Sequence, residues 1–401
     1  MNSPTIPISL ETLVPFSGQS HSCHDNPAPH CTNPRCPFFY HRDPRNTSWR
    51  SDHGSYSTRA FGEVPRYRCR CCKKTFSEQS FKIDYYVKRP VDYIRLIRAL
   101  VCTSGQGNLS RFTALRYELI QNRYERIARF FLAVHAALRH QLPSQRQQED
   151  FVMDGFESFS FSQYFPNNVN IIVGASSELI YQMGFAQLRR KGQMSDEQRA
   201  RRGELEAALG KAPPRAIEES VVRILQDICT WVREKGYGPL HLKTDEHPAY
   251  VRAFRRVPEA ERLVWHQRYS SKAPRTLDNP LFPVNYVDRQ FRKDLVNHVR
   301  ETVQFARCPA AMMMRLTIYQ GYHNYLMPRR VRQQRRGNWQ TRAEALGVER
   351  KQIWATIRSL WGKRLFYHKT PLWQEEQRTW LMLWRNVGIQ MGRRVPEYVR
   401  A

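Results

Sequence analysis

Two pairs of cysteines constrain the first part of this chain more than any other feature. Cys31 and Cys36 stand in "HCTNPRCPFF", and Cys69 and Cys72 in "RYRCRCCKKTF", within a stretch rich in Pro, His and Arg and poor in helical periodicity. A segment of that composition buries too little apolar surface to order itself. Four thiolates on two tight turns can order it, because they close a tetrahedral Zn²⁺ site whose binding energy becomes folding energy. The second pair has the usual knuckle spacing, whereas the first is widened to C-x4-C. Cys23, His30 and Cys71 lie close by as alternative ligands. Residues 1–85 are therefore expected to form one metal-stapled module.

The charge balance points to the partner. With 64 Lys and Arg against 36 Asp and Glu, the chain carries +28 and a pI near 10.1. A polyanion is the natural ligand, and a nucleic acid the first candidate, because each phosphate neutralised releases counterions and the guanidinium fork matches phosphate oxygens. Nine unevenly spaced cysteines give no disulfide framework, and "MNSPTIPISLETLVPF" has neither a basic n-region nor a continuous apolar run. No apolar stretch approaches the ~18 residues of a membrane span. The expectation is a soluble protein of a reducing compartment, cytoplasmic and nucleoid-associated, with no membrane partner.

Residues 86–138 read as a bundle of about three helices broken at "TSGQGN". That outline suits a helix-turn-helix, with Gln121, Asn122, Arg123 and Arg126 of "QNRYERIARFF" as candidate contacts to base edges or phosphates. The polar run 139–150 has the composition of a linker. From 151 to 327 the pattern runs strands, helices, strand, helix. A helical insertion near 191–235 opens on the Ser195–Gln198 capping-box spacing and continues in the stripe Ile217, Val221, Leu225, Ile228, Val232. "LHLKTDEHPAY" reads as a strand, followed by a long Pro-containing loop. Beyond it Val287, Phe291, Leu295, Val299 and Val303 suggest one continuous helix. Residues 328–401 form a basic, aromatic and mainly helical C-terminal region in which Arg329, Arg330, Arg332, Arg335 and Arg336 are candidate DNA contacts.

Three acids stand out by context. Asp154 lies within the first strand, "FVMDGFES"; Asp245 ends the later strand; Asp288 opens the helix after the loop. One sheet with a helix across it can gather such positions into a cage of hard oxygen ligands for Mg²⁺ or Mn²⁺. Two such ions bracketing a scissile phosphate activate the attacking oxygen and stabilise the leaving one. Glu157 and Glu246 fall on the opposite strand face from their neighbouring aspartates. His247 and His266 are expected to satisfy local backbone groups rather than contact phosphate.

In this order, "RYRCRCCKKTF", "MDGFES", "KTDEHPAY" and "NYVDRQFRKDLVNHVRETVQFAR" resemble the DDE transposases of bacterial insertion sequences. The resemblance covers most of the chain. It implies an α/β multidomain protein: a zinc ribbon, a helix-turn-helix, an RNase H-like catalytic domain of mixed sheet flanked by helices, and the basic C-terminal region. It further implies Asp154, Asp245 and Asp288 as catalytic metal ligands, with Asn285 in the N-x-x-acid position. Such an enzyme binds its element's ends as double-stranded DNA in a synaptic homo-oligomer, cuts them, and joins the 3′-hydroxyl to target DNA. The family's third acid is usually Glu, so Asp294 and Glu301 stand as alternatives to Asp288. A transposase-derived DNA-binding protein without catalysis is the competing reading, and a structure-selective nuclease or resolvase a third.

Overall fold

Short alternating runs at 50–77 and longer apolar runs at 151–187 and 240–269 make two separate sheets. The computed structural model describes residues 28–383 apart from 42, 44, 143–148, 237, 275 and 300–301, and among these the chain is mixed α/β. The first sheet is antiparallel in the order β1 (Arg50–Thr58), β2 (Gly62–Cys69), β3 (Thr75–Ser77). It carries a small core of its own, in which Trp49 stacks on Phe76 at 5.7 Å beside the buried cysteines.

Three helices follow, α1 (Tyr93–Val101), α2 (Gln106–Thr113) and α3 (Tyr117–Arg139). Asp92 caps α1 by accepting from the N–H groups of Ile94 and Arg95. The 23-residue α3 is buried on nearly every side, which makes it a central strut.

The second sheet comprises β4 (Phe151–Phe159), β5 (Pro166–Gly174), β6 (Ile180–Gln187), β7 (Leu240–Asp245) and β8 (Val264–Tyr269), ordered β6-β5-β4-β7-β8. β4, β5 and β6 form an antiparallel meander, whereas β7 runs parallel to both β4 and β8. β5 is buried along almost its whole length, as expected of a strand covered on both faces.

Between β6 and β7 come α4 (Asp196–Leu209) and α5 (Ala216–Lys235). The Ser195–Gln198 capping box opens α4 as expected, but α4 buries no residue. α5 lays its stripe on the sheet, with Trp231 stacked on Phe151 at 5.7 Å and Asp227 accepting from Gln182 at 2.6 Å. Gly184 of β6 permits this approach, since a Cβ there would stand 2.3 Å from Ser220 Oγ.

Three expectations are corrected after β7. The long loop contains α6 (Pro248–Arg255), α7 (Pro258–Leu263) and the edge strand β8 before α8 (Phe282–Asp294) begins. Asp288 therefore sits near the middle of α8, not at its opening. The helix also stops at Asp294, leaving Val299 and Val303 exposed. A strict four-residue repeat precesses by about 40° per step on a helix of 3.6 residues per turn, so on a continued helix the later valines would leave the buried face. Instead the chain turns to bury His298 against Phe156 and to bond its Nδ1 to Ser158 at 2.9 Å. α8 covers the opposite side of the sheet from α5, with Phe291 edge-on to Phe156.

The helix α9 (Pro309–Tyr325) packs against α3, and a Cβ on Gly321 would meet the Phe131 ring at 2.0 Å. The C-terminal helices α10 (Val331–Arg335), α11 (Arg342–Ala345), α12 (Arg350–Leu360) and α13 (Gln374–Met382) follow. α12 packs on α3, α11 on α9, and α13 on β6 and α5, so this region shares one core with the sheet. No helix among the described residues is long and apolar enough to cross a membrane.

Candidate metal centres

The four thiols expected to bind zinc converge. Their sulfur atoms all lie within 4.8 Å of one another, with Cys31–Cys72 at 3.5 Å and Cys36–Cys69 at 3.7 Å. A tetrahedral site with Zn–S bonds of about 2.3 Å has edges of about 3.8 Å, so the set fits Zn²⁺. The turns are shaped for it: Asn33 donates its N–H to Cys31 Sγ at 3.4 Å, and Lys73 adopts a left-handed φ of 60°. Burial pushes the Cys31 thiol up and that of Cys36 to about 12. Cys72, despite burial, is drawn down to about 7 by donors that include the Lys74 N–H. Zinc bound here would offset the burial penalty by holding the sulfurs as thiolates.

The sequence alternatives take other roles. Cys71 is exposed. His30 bonds the Cys31 carbonyl at 2.8 Å and turns its ring into a nest of Phe39, Phe81 and Phe366. Cys23 lies outside the described residues.

The three acids approach one another through the sheet and α8. The parallel pairing of β4 with β7 runs Phe151–Leu242, Val152–Lys243 and Met153–Thr244. One further step in that register sets Asp154 beside Asp245 on the same sheet face. α8 covers that face and carries Asp288. The three carboxylates act together on Tyr250, a buried residue of α6: burial first, then the fields of Asp154, Asp245 and Asp288, hold its phenol well above its ordinary value. They form a looser group than the thiols, which are the one set of three or more ligating side chains among the described residues to converge within 4.8 Å.

Local bonds fix the second acid. Asp245 Oδ1 accepts the His247 N–H at 2.9 Å, closing the turn into α6. His247 caps that helix, its Nδ1 accepting from the Ala249 N–H at 3.3 Å. His266 behaves differently from the expectation, meeting the Thr244 hydroxyl at 2.8 Å and stacking on Phe254. Burial holds its pKa down at about 4. Sequence reasoning missed this contact because it missed β8; it missed Tyr250 as well, although the residue closes the "HPAY" turn.

Asp294 is engaged elsewhere, accepting from the Tyr319 hydroxyl at 2.6 Å. Six residues beyond Asp288, it lies about 240° round the helix. Glu157 and Glu246 are exposed, and Glu301 lies outside the described residues. Asn285 turns its amide back on its own helix, donating to the Leu281 carbonyl at 3.0 Å.

The basic candidates divide. Arg123 is buried and donates to the Arg89 carbonyl at 3.0 Å. Arg126 donates to the carbonyls of Ile83 and Tyr85 while covering the Tyr85 ring. Gln121 bonds Gln106 and Glu125, and Asn122 is half-buried. This stretch of α3 thus faces inward, a correction to its expected presentation in a groove; the helix packs on α1, α2, α9 and α12. In the C-terminal cluster Arg329 donates to the Ser176 carbonyl, and Arg330 clamps Glu178 at 2.7 and 3.1 Å. Arg332, Arg335 and Arg336 stand exposed on and just after α10.

No protein-family model matches the chain, and no curated protein matches it.

Proposed function

We propose that this chain is a DDE-type DNA transposase, with residues 151–327 as an RNase H-like catalytic domain and Asp154, Asp245 and Asp288 as its metal ligands. The observation that carries the reading is the register of β4 against β7, which brings two acids distant in sequence side by side beneath the helix bearing the third. The strand order β6-β5-β4-β7-β8, a meander joined to two parallel strands, supports the domain assignment.

Bound Mg²⁺ or Mn²⁺ supplies charge neutralisation at a scissile phosphate and activation of the attacking oxygen. The residues divide the remaining work. The three carboxylates hold the cations, and the turn bonded through the His247 N–H fixes Asp245. The exposed arginines Arg332, Arg335 and Arg336 neutralise phosphates of double-stranded DNA. The four cysteines hold a structural Zn²⁺ that orders the N-terminal ribbon.

The test is a strand-cleavage and strand-joining assay on DNA carrying the ends that flank the gene, with Mg²⁺ or Mn²⁺, comparing the wild type with Asp245→Asn. Joined product from the wild type alone is expected. Tight binding of those ends by a folded protein that neither cuts nor joins them transfers the reading to a DNA-binding protein without catalysis.

A further inference from the structure

Outside both metal centres, a cavity of about 310 Å³ opens where the N-terminal module, α3 and the C-terminal region meet. That volume falls at the small end of the range of ligand pockets, about 300–1,000 Å³. Its walls are apolar: Phe81 and Phe366 contribute aromatic surface, backed by Ala133, Ala137 and Leu360. The lining is also cationic: it carries Lys363, Arg364 and Lys369, together with Lys82, whose backbone bridges Lys363 and whose ammonium pairs with Glu78.

The charge of this lining is unbalanced. Glu78 is committed to Lys82 at 2.8 Å, and no carboxylate among the described residues pairs with Lys363, Arg364 or Lys369. Arg364 spends its guanidinium on the faces of Tyr85 and Phe366, and Lys369 leans its ammonium over Phe39 at 5.0 Å. Loss of hydration there lowers Lys369 to about 8. An anion at the mouth would supply the missing countercharge, while a neutral apolar ligand would leave these cations without one.

We propose that this cavity binds a small amphiphilic anion, its apolar body against Phe81 and Phe366 and its carboxylate, sulfonate or phosphate at Lys363 and Lys369. Backbone bonds tie the two sides together, Ile83 N–H to the Gly362 carbonyl at 2.6 Å and Arg364 N–H to the Phe81 carbonyl at 2.9 Å. A ligand seated here therefore touches both the N-terminal module and the C-terminal region.

The experiment titrates the zinc-loaded full chain with anilinonaphthalene sulfonate, following its fluorescence, and then competes the probe with dodecanoate and, separately, with a short oligothymidylate. One saturable site is expected, displaced by dodecanoate. Lys363→Glu with Lys369→Glu, both at exposed positions, should weaken it about tenfold or more. Ala137→Phe, which fills the cavity without altering charge, should abolish it. Binding unchanged in both variants, or uptake at many equivalent sites, overturns the proposal. Displacement by the oligonucleotide at lower concentration than by dodecanoate also overturns it, assigning the cationic lining to nucleic acid.

Discussion

Asp154 stands beside Asp245, one step past the last paired residues of β4 and β7 and in the same register. Two carboxylates so arranged, with Asp288 near the same phenol, repel one another, and a divalent cation bound there would relieve that repulsion. Asp154→Asn should therefore stabilise the metal-free protein by on the order of 1 kcal/mol. In the wild type, Mg²⁺ or Mn²⁺ at a hundred times its Kd should add about 2.7 kcal/mol. The variant should lose that gain. Thermal unfolding with and without metal measures both effects, and equal metal response in the two proteins rules out Asp154 as a ligand.

At the thiol centre, Cys69→Ser combined with Cys72→Ser should abolish stoichiometric zinc, measured colorimetrically after acid release. The core of the N-terminal sheet depends on the same residues, since Trp49 and Phe76 pack against the cysteines. Tryptophan emission should consequently shift to the red as Trp49 meets water. A full complement of zinc in the double variant would contradict the assignment.

Glu178 accepts bonds from Arg330 and lies 3.5 Å from the wholly buried Arg342. Glu178→Gln should destabilise the fold by about 3–5 kcal/mol, because it leaves a buried guanidinium without its countercharge. Urea unfolding reads the cost; a change below 1 kcal/mol would mean that water replaces the carboxylate.

Buried histidines set the acid limit. Burial first, then Arg315 and Arg292, hold His298 down at about 3, and burial holds His135 at about 4. Each is neutral in the folded protein but takes a proton once unfolded, near pH 6.5. Their contribution is complete above pH 6.5 and is lost as pH falls toward 4 and then 3. His298→Gln should flatten the dependence of unfolding free energy on pH by about one proton between pH 6 and 4. An unaltered slope would show His298 protonated in the native state.

The basic helix α10 makes the DNA reading quantitative. Replacing Arg332, Arg335 and Arg336 by Ala should reduce the slope of log K against log salt by about 2.7 if all three meet phosphates. Arg330→Ala should instead act on stability through Glu178. An unchanged slope in the triple variant identifies α10 as a solvated connector.

What could be read in advance followed the strength of the local pattern. The meander β4–β6 and strand β7 are long enough for their apolar runs to stand out, and the α4 cap and α5 stripe are local signals. The thiol set was legible for another reason, since metal geometry restricts which cysteines can meet. β8 escaped notice because, as an edge strand, it buries only Val264 fully. The arginines of α3 misled because a guanidinium bonded to inward carbonyls leaves the same mark in sequence as one held out to phosphate. The neighbourhood of Tyr250 depends on strand register and helix packing together, which no single segment encodes.

The pairing of residues 81–83 with 362–364 also fixes an order of events during synthesis. Arg364 and Ser80, which meet there, are separated by 284 positions. A nascent chain can close its cysteine turns early, yet the aromatic nest of His30, Phe39 and Phe81 waits for Phe366 to leave the ribosome. Until then that nest is an uncovered sticky face, so incomplete chains and C-terminal truncations should be the forms that chaperones hold and proteases remove.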